Sequence, residues 1–168
     1  METQAINVFI LNDNVEMAGK LRRYLAKRFG EMLRISLFFS SRSCLKMLNR
    51  NVHLVVVDDY LYEGANKGTP GMDMLKQIKD KQPETEVVIL TSNEDVGTAV
   101  EAMRLGARDV IKNERGAWQR IQAIVDQRIK QPIRYFVAEY GVNVFVMAFL
   151  LTFAAIGVAV YFGLRYWG

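Results

Sequence analysis

Residues 53–59 read HLVVVDD. Leu54, Val55, Val56 and Val57 make an unbroken aliphatic run with no polar alternation. Such a run is the mark of a strand buried on both faces, as in the middle of a parallel sheet. It stops abruptly at two carboxylates, Asp58 and Asp59. The same pattern recurs on either side. Ile6–Leu11 (INVFIL) ends at Asn12, Asp13 and Asn14, and Glu86–Leu90 (EVVIL) ends at Thr91, Ser92 and Asn93. Arg34–Phe39 (RISLFF) and the short Asp109–Ile111 also read as strands, the latter ending at Lys112 and Asn113.

Helical spacing fills the intervals. Met17, Leu21, Tyr24 and Leu25 share one face of a helix over Val15–Phe29, and Ser43–Leu48 reads as a short helix. Met74, Leu75 and Ile78 do the same over Met72–Lys81, and Val96, Val100, Met103 and Leu105 over Asp95–Leu105. Trp118, Ile121, Ile124 and Val125 mark a last amphipathic helix over Gly116–Ile129, with Trp118 expected to pack it onto the sheet. Strands alternating with helices predict an α/β fold: a five-stranded parallel sheet, doubly wound, with helices on both faces. Sites in such sheets form where the strands end. That edge would gather Asn12, Asp13, Asp58, Thr91 and Lys112, while Asp59 reads as the first residue of a loop. Asp13 or Asn14 is placed to cap the first helix as well.

Composition narrows the classes. The chain has 168 residues, 51% of them hydrophobic, which excludes a disordered chain. Cys44 is the only cysteine, which excludes a disulfide scaffold. Residues 1–112 carry 16 Lys/Arg against 15 Asp/Glu, so most of the net charge of +4 comes from a local basic excess over residues 113–134. No dedicated nucleic-acid surface is expected. The basic stretch, with Arg115, Arg120, Arg128, Lys130 and Arg134, suits a solvated helix face or contact with anionic lipid. No GxSxG motif and no metal-binding His cluster supports a hydrolase.

The C-terminal stretch differs in kind. Tyr140–Leu164 (YGVNVFVMAFLLTFAAIGVAVYFGL) contains no charged residue over 25 positions. A helix crosses the hydrocarbon core with about 20 apolar residues. Tyr135, Tyr140, Tyr161, Tyr166 and Trp167 flank the run, as aromatics do at the two interfaces. The expected organisation is a globular domain over 1–131, a juxtamembrane linker over 132–139 and a transmembrane helix over 140–165. The basic flank lies on the N-terminal side, so the globular domain is expected in the cytoplasm, tethered to the cell inner membrane by a single pass. The opening METQAINVFIL has no basic start or cleavage site and is not read as a signal peptide.

The strand-end residues form a chemical kit. Carboxyl and carbonyl oxygens can hold Mg²⁺, a neighbouring carboxylate can accept a phosphoryl group, and a hydroxyl with a Lys can bind the phosphoryl oxygens. In order, FILND, VVVDDYL, GMDMLKQIK, VVILTS and TAVEAMRLGARDVIK resemble the receiver domain of two-component response regulators over residues 5–130. The resemblance implies a flavodoxin-like receiver fold and a phosphoacceptor signalling domain rather than a conventional enzyme. It implies that Asp58 accepts the phosphoryl group from a histidine kinase or phosphotransfer protein. Thr91 and Lys112 would bind that group. Mg²⁺ would lie on Asp13, Asp58 and the backbone carbonyl of Tyr60. Asn12 stands where the family has a second acidic residue; it joins the metal site through a metal-bound water.

Other positions depart from the family pattern. Asp109 occupies the place of the switch aromatic, Asn113 that of a Pro, and the loop YLYEGANKGTPG after Asp59 is long and glycine-rich. The expected function is a membrane-anchored single-domain response regulator in a phosphorelay, signalling to an unknown output protein by protein–protein contact. The competing expectation, motivated by Asn12 and the missing aromatic, is a non-switching pseudo-receiver that acts as a tethered binding module.

Overall fold

A computed structural model describes residues 5–61, 69–92, 95–130, 146–154 and 156. The chain divides into two compact units, Met1–Val125 and Asp126–Gly168.

In the first unit the strands are β1 (Ile6–Leu11), β2 (Leu33–Phe38), β3 (Val52–Asp58), β4 (Tyr60–Leu61), β5 (Thr69–Pro70), β6 (Glu86–Thr91) and β7 (Asp109–Lys112). The helices are α1 (Val15–Phe29), α2 (Ser41–Met47), α3 (Gly71–Lys81) and α4 (Val96–Arg104), followed by helical residues 117–125, here α5. Five strands form one parallel sheet in the order β2-β1-β3-β6-β7. The direction of strand progression reverses at β1, which makes the β1/β3 crevice the topological switch point. This is the doubly wound flavodoxin-like architecture that the alternation of strands and helices predicts.

The central strands are buried on both faces because both are covered by helices. On one side Phe9, Leu11, Val55, Val57, Val87 and Ile89 form a continuous core with Met74, Leu75 and Ile78 of α3 and Cys44 of α2. The alternate residues Val8, Ile10, Leu54, Val56 and Val88 point the other way and are equally buried, as are Leu21 and Leu25 of α1 and Ile121 and Val125 of α5. Trp118 stacks on Tyr24 of α1 with ring centroids 5.5 Å apart, so it joins two helices. Tyr24 Oη also donates to Gln122 Oε1 at 2.6 Å. Cys44 is fully buried, and burial pushes its thiol pKa up to about 12.

Caps set the helix starts. The Asn14 side chain accepts from the Met17 N–H at 3.0 Å and caps α1. Asp95 accepts from the Gly97 and Thr98 N–H groups and caps α4. These bonds and the Thr98 hydroxyl hold the Asp95 carboxyl below its ordinary pKa.

The long loop after Asp59 is not open along its whole length. Its two ends pair as the antiparallel ladder β4–β5, Tyr60 opposite Pro70 and Leu61 opposite Thr69. The cause is burial at both feet. Leu61 is fully buried, and Gly71, which begins α3, donates its N–H to the Asp59 carbonyl at 2.5 Å. Sequence alone places no strand here, because two-residue pairing carries no periodicity.

In the second unit, residues 146–154 and 156 are helical. Val146, Phe149, Leu150, Leu151 and Phe153 are all exposed. The Thr152 hydroxyl is satisfied within the helix, donating to Ala148 O and Phe149 O. Among the described residues no helix is long and apolar enough to cross a membrane. The expected linker 132–139 lies outside the described residues, as do 140–145, 155 and 157–165 of the expected span.

Candidate functional site

Register assembles the site. Leu11 of β1 lies beside Val57 of β3, Asp58 beside Leu90 of β6, and Thr91 beside Lys112 of β7. One further step along each strand lines up Asn12, Asp13, Asp58, Asp59, Thr91 and Lys112 along the carboxyl edge of the sheet. Asp13, Asp58, Asp59, Thr91 and Lys112 are half-buried, and Asn12 is buried at 3% exposure.

Asn12 is fixed by its neighbours. Its backbone N–H donates to Phe38 O at 3.1 Å, which ties the end of β1 to β2. Its Nδ2 donates to Asp58 Oδ2 at 2.7 Å, and its Oδ1 accepts from the Asn14 N–H at 2.7 Å. Those two bonds dictate which end of the amide is which. Reversed, the amide would set an oxygen against a carboxylate and an NH₂ against an N–H. Asn12 therefore meets Asp58 as a donor. Where a carboxylate would repel Asp58, the amide holds it.

Asp58 ends β3 and Asp13 follows the neighbouring strand β1, with the α1 cap taken by Asn14. With the backbone carbonyl of Tyr60, two residues after Asp58, these residues would offer an all-oxygen donor set. That is the chemistry Mg²⁺ takes while keeping several waters. Among the described residues no group of three or more His, Cys, Asp or Glu side chains is arranged to hold a metal.

Asp59 is more firmly held than a loop residue. Its N–H donates to Leu90 O at 2.7 Å, and its carbonyl accepts from Gly71 N–H. Its Oδ2 accepts from the Thr91 hydroxyl at 2.6 Å. A Cβ on Gly71 would meet Asp59 Cα at 2.9 Å and the Asp58 and Asp59 carbonyl oxygens at 3.0 Å, so glycine is needed for this approach. Register carries this: one residue past the Asp58/Leu90 pair, Asp59 comes opposite Thr91.

Lys112 Nζ pairs with Glu114 Oε2 at 3.3 Å. Asp109, in the place of the expected aromatic, accepts from Arg120 Nη2 on both carboxylate oxygens, at 2.9 and 2.8 Å. An ion pair between β7 and α5 thus stands at the position of the missing switch aromatic.

Comparison with known proteins agrees with this picture. A family model described as the response regulator receiver domain matches residues 8–125. The transcriptional regulatory protein FixJ of Bradyrhizobium diazoefficiens is 29% identical over 126 residues, covering 74% of this chain and 57% of FixJ. The DNA-binding transcriptional regulator NtrC of Escherichia coli is 30% identical over 104 residues, covering 62% of this chain and 21% of NtrC. The chain thus spans about half the length of the first relative and about a fifth of the second. Among solved structures, the receiver domain of a LuxO repressor protein from Vibrio parahaemolyticus superposes with a TM-score of 0.65 at 21% identity, covering 80% of this chain and 98% of that one. A response regulator from Burkholderia pseudomallei, solved with a phosphorylated aspartic acid, a calcium ion and citrate, superposes with a TM-score of 0.56 at 22% identity, covering 88% and 92%.

Proposed function

The chain belongs to the response regulator receiver domain family, and from that premise we propose that it is a membrane-anchored receiver that takes a phosphoryl group on Asp58. The observation that carries this reading is the shared edge: Asp58, Asn12, Thr91 and Lys112 end neighbouring strands in register. An Asp58 carboxylate oxygen attacks phosphorus, the bond from phosphorus to the donor's leaving group breaks, and an acyl phosphate forms. The donor is a phosphohistidine of a histidine kinase or phosphotransfer protein. Bound Mg²⁺ supplies charge neutralisation at the phosphoryl oxygens. Asn12 orients the Asp58 carboxylate through Oδ2, Lys112 provides positive charge and Thr91 a hydroxyl donor. Asp13, Asp58 and the Tyr60 carbonyl would hold the metal.

Output is assigned to protein contact. Val96, Val100 and Met103 of α4 are all exposed, an apolar stripe that suits an output protein better than water. Membrane attachment rests on the uncharged run 140–164, on the exposed apolar side chains of 146–154, and on Thr152 bonding within its own helix, as a hydroxyl in lipid must. The receiver would then face the cytoplasm from the inner membrane.

The test is intact mass of the full chain in detergent, incubated with Mg²⁺ and a small acyl phosphate. One added phosphoryl group that needs both Mg²⁺ and Asp58 is expected, and its absence overturns the reading. The pseudo-receiver is the second reading, favoured by the Asn12 amide that already satisfies Asp58. It requires that Mg²⁺ titration give no saturable change in tryptophan fluorescence.

A further inference from the structure

We propose that Asp59 is a positioning residue that withholds the Thr91 hydroxyl from the phosphorylation site, so that capture of a phosphoryl group at Asp58 requires Thr91 to change partner. The inference rests on the reading of Asp58 as phosphoacceptor. It is carried by geometry at the adjacent residue. A threonine hydroxyl has one proton to donate, and the Asp59 carboxylate accepts it at 2.6 Å, the length of a charge-assisted bond. The Asp59 backbone is anchored beside Thr91. Its N–H is bonded to Leu90 O, its carbonyl to Gly71 N–H, and Gly71 packs against its Cα too closely to admit a Cβ. Rotation about χ1 takes the Thr91 hydroxyl from one acceptor to another, while its backbone stays in β6 beside Lys112. The phosphoryl oxygens and Asp59 therefore compete for one proton. Asp59 keeps the hydroxyl turned away until a phosphoryl group outbids it.

The experiment measures the rate of phosphoryl incorporation by intact mass, using the full chain in detergent with Mg²⁺ and a small acyl phosphate. It compares the native chain with Asp59→Ala, Asp59→Asn, Thr91→Ala and the Asp59→Ala/Thr91→Ala double variant, with circular dichroism as the check on folding. Freeing Thr91 by Asp59→Ala is expected to raise the rate about tenfold, the factor that one charge-assisted hydrogen bond is worth. Asp59→Asn keeps an acceptor of lower strength, so its gain is smaller, and it replaces the alanine variant if that fails to fold. In the Thr91→Ala background the gain disappears. A gain of equal size in that background overturns the proposal, because the effect is then the charge of Asp59 and not its hold on Thr91. Phosphorylation of the native chain with no gain in either Asp59 variant overturns it and leaves Asp58 as acceptor intact. No adduct on any of the chains overturns the reading of Asp58 and this inference with it.

Discussion

Asn12 Nδ2 donates to Asp58 Oδ2 at 2.7 Å, so the residue in the place of an acidic neighbour clamps the proposed phosphoacceptor. Replacing the amide by a carboxylate inverts the contact. Asn12→Asp puts like charges side by side, which destabilises the metal-free protein and raises the pKa of one of the two carboxyls. It also adds an anionic ligand. Mg²⁺ is expected to bind about tenfold more tightly in this variant, since differential charge interactions of about 1.4 kcal/mol are ordinary at such sites. Calorimetric titration with Mg²⁺ reads both the affinity and any failure of the prediction.

Gly71 sits at the start of α3 with no room for a side chain. Gly71→Ala is expected to cost about 1–3 kcal/mol, the range for overpacking. It should also slow phosphorylation of Asp58, because the strain falls on the backbone of Asp58 and Asp59. Urea unfolding and the incorporation assay measure the two effects. A stability loss without a rate change would place the strain elsewhere.

The Asp109–Arg120 pair joins β7 to α5 at the surface, with the Arg side chain 59% exposed and the Asp 25%. Exposed pairs contribute about 0.2–1 kcal/mol. Arg120→Ala is expected to lower stability within that range at low salt and by less at about 1 M salt, where the Debye length is about 3 Å. Parallel unfolding curves at the two ionic strengths test it.

Cys44 gives a pH dependence with a definite sign. Its pKa is raised from 9.0 to about 12 by burial, so the folded protein keeps the thiol protonated where the unfolded chain ionises. The stabilising contribution is complete below pH 9.0 and is lost as pH rises from 9.0 towards about 12. Between those limits this group alone costs up to about 1.4 kcal/mol per pH unit. Cys44→Ala should therefore lose less stability than the native chain between neutral and alkaline pH. The native thiol should resist alkylation at neutral pH until urea is added.

Much of this was legible before any coordinates. The aliphatic run 54–57 and the apolar strands at 6–11 and 86–90 are long enough for burial to dominate every local preference. Strand ends then have only one edge to occupy, so Asp58, Thr91 and Lys112 could be placed together. What escaped was set by side-chain rotamers and by contacts across elements. The amide of Asn12 could not be oriented without Asn14 and Asp58 in place. Asp59 looked like a loop because its three bonds reach Leu90, Gly71 and Thr91, which are distant in sequence. The contact of Trp118 with Tyr24 of α1 was not legible, because an apolar face does not say which neighbour it meets.

The β4–β5 ladder has a use beyond closing a loop. Its paired ends bring residues 61 and 69 together whatever lies between them. Closing a longer excursion costs little, about 0.6 kcal/mol for each doubling of its length. The fold thus offers a graft point: a reporter peptide or small tag spliced between Leu61 and Thr69 would be carried on a stem rooted beside Asp58 and Asp59. The five-stranded sheet would be left untouched, and a probe placed there would report on the phosphorylation edge at close range.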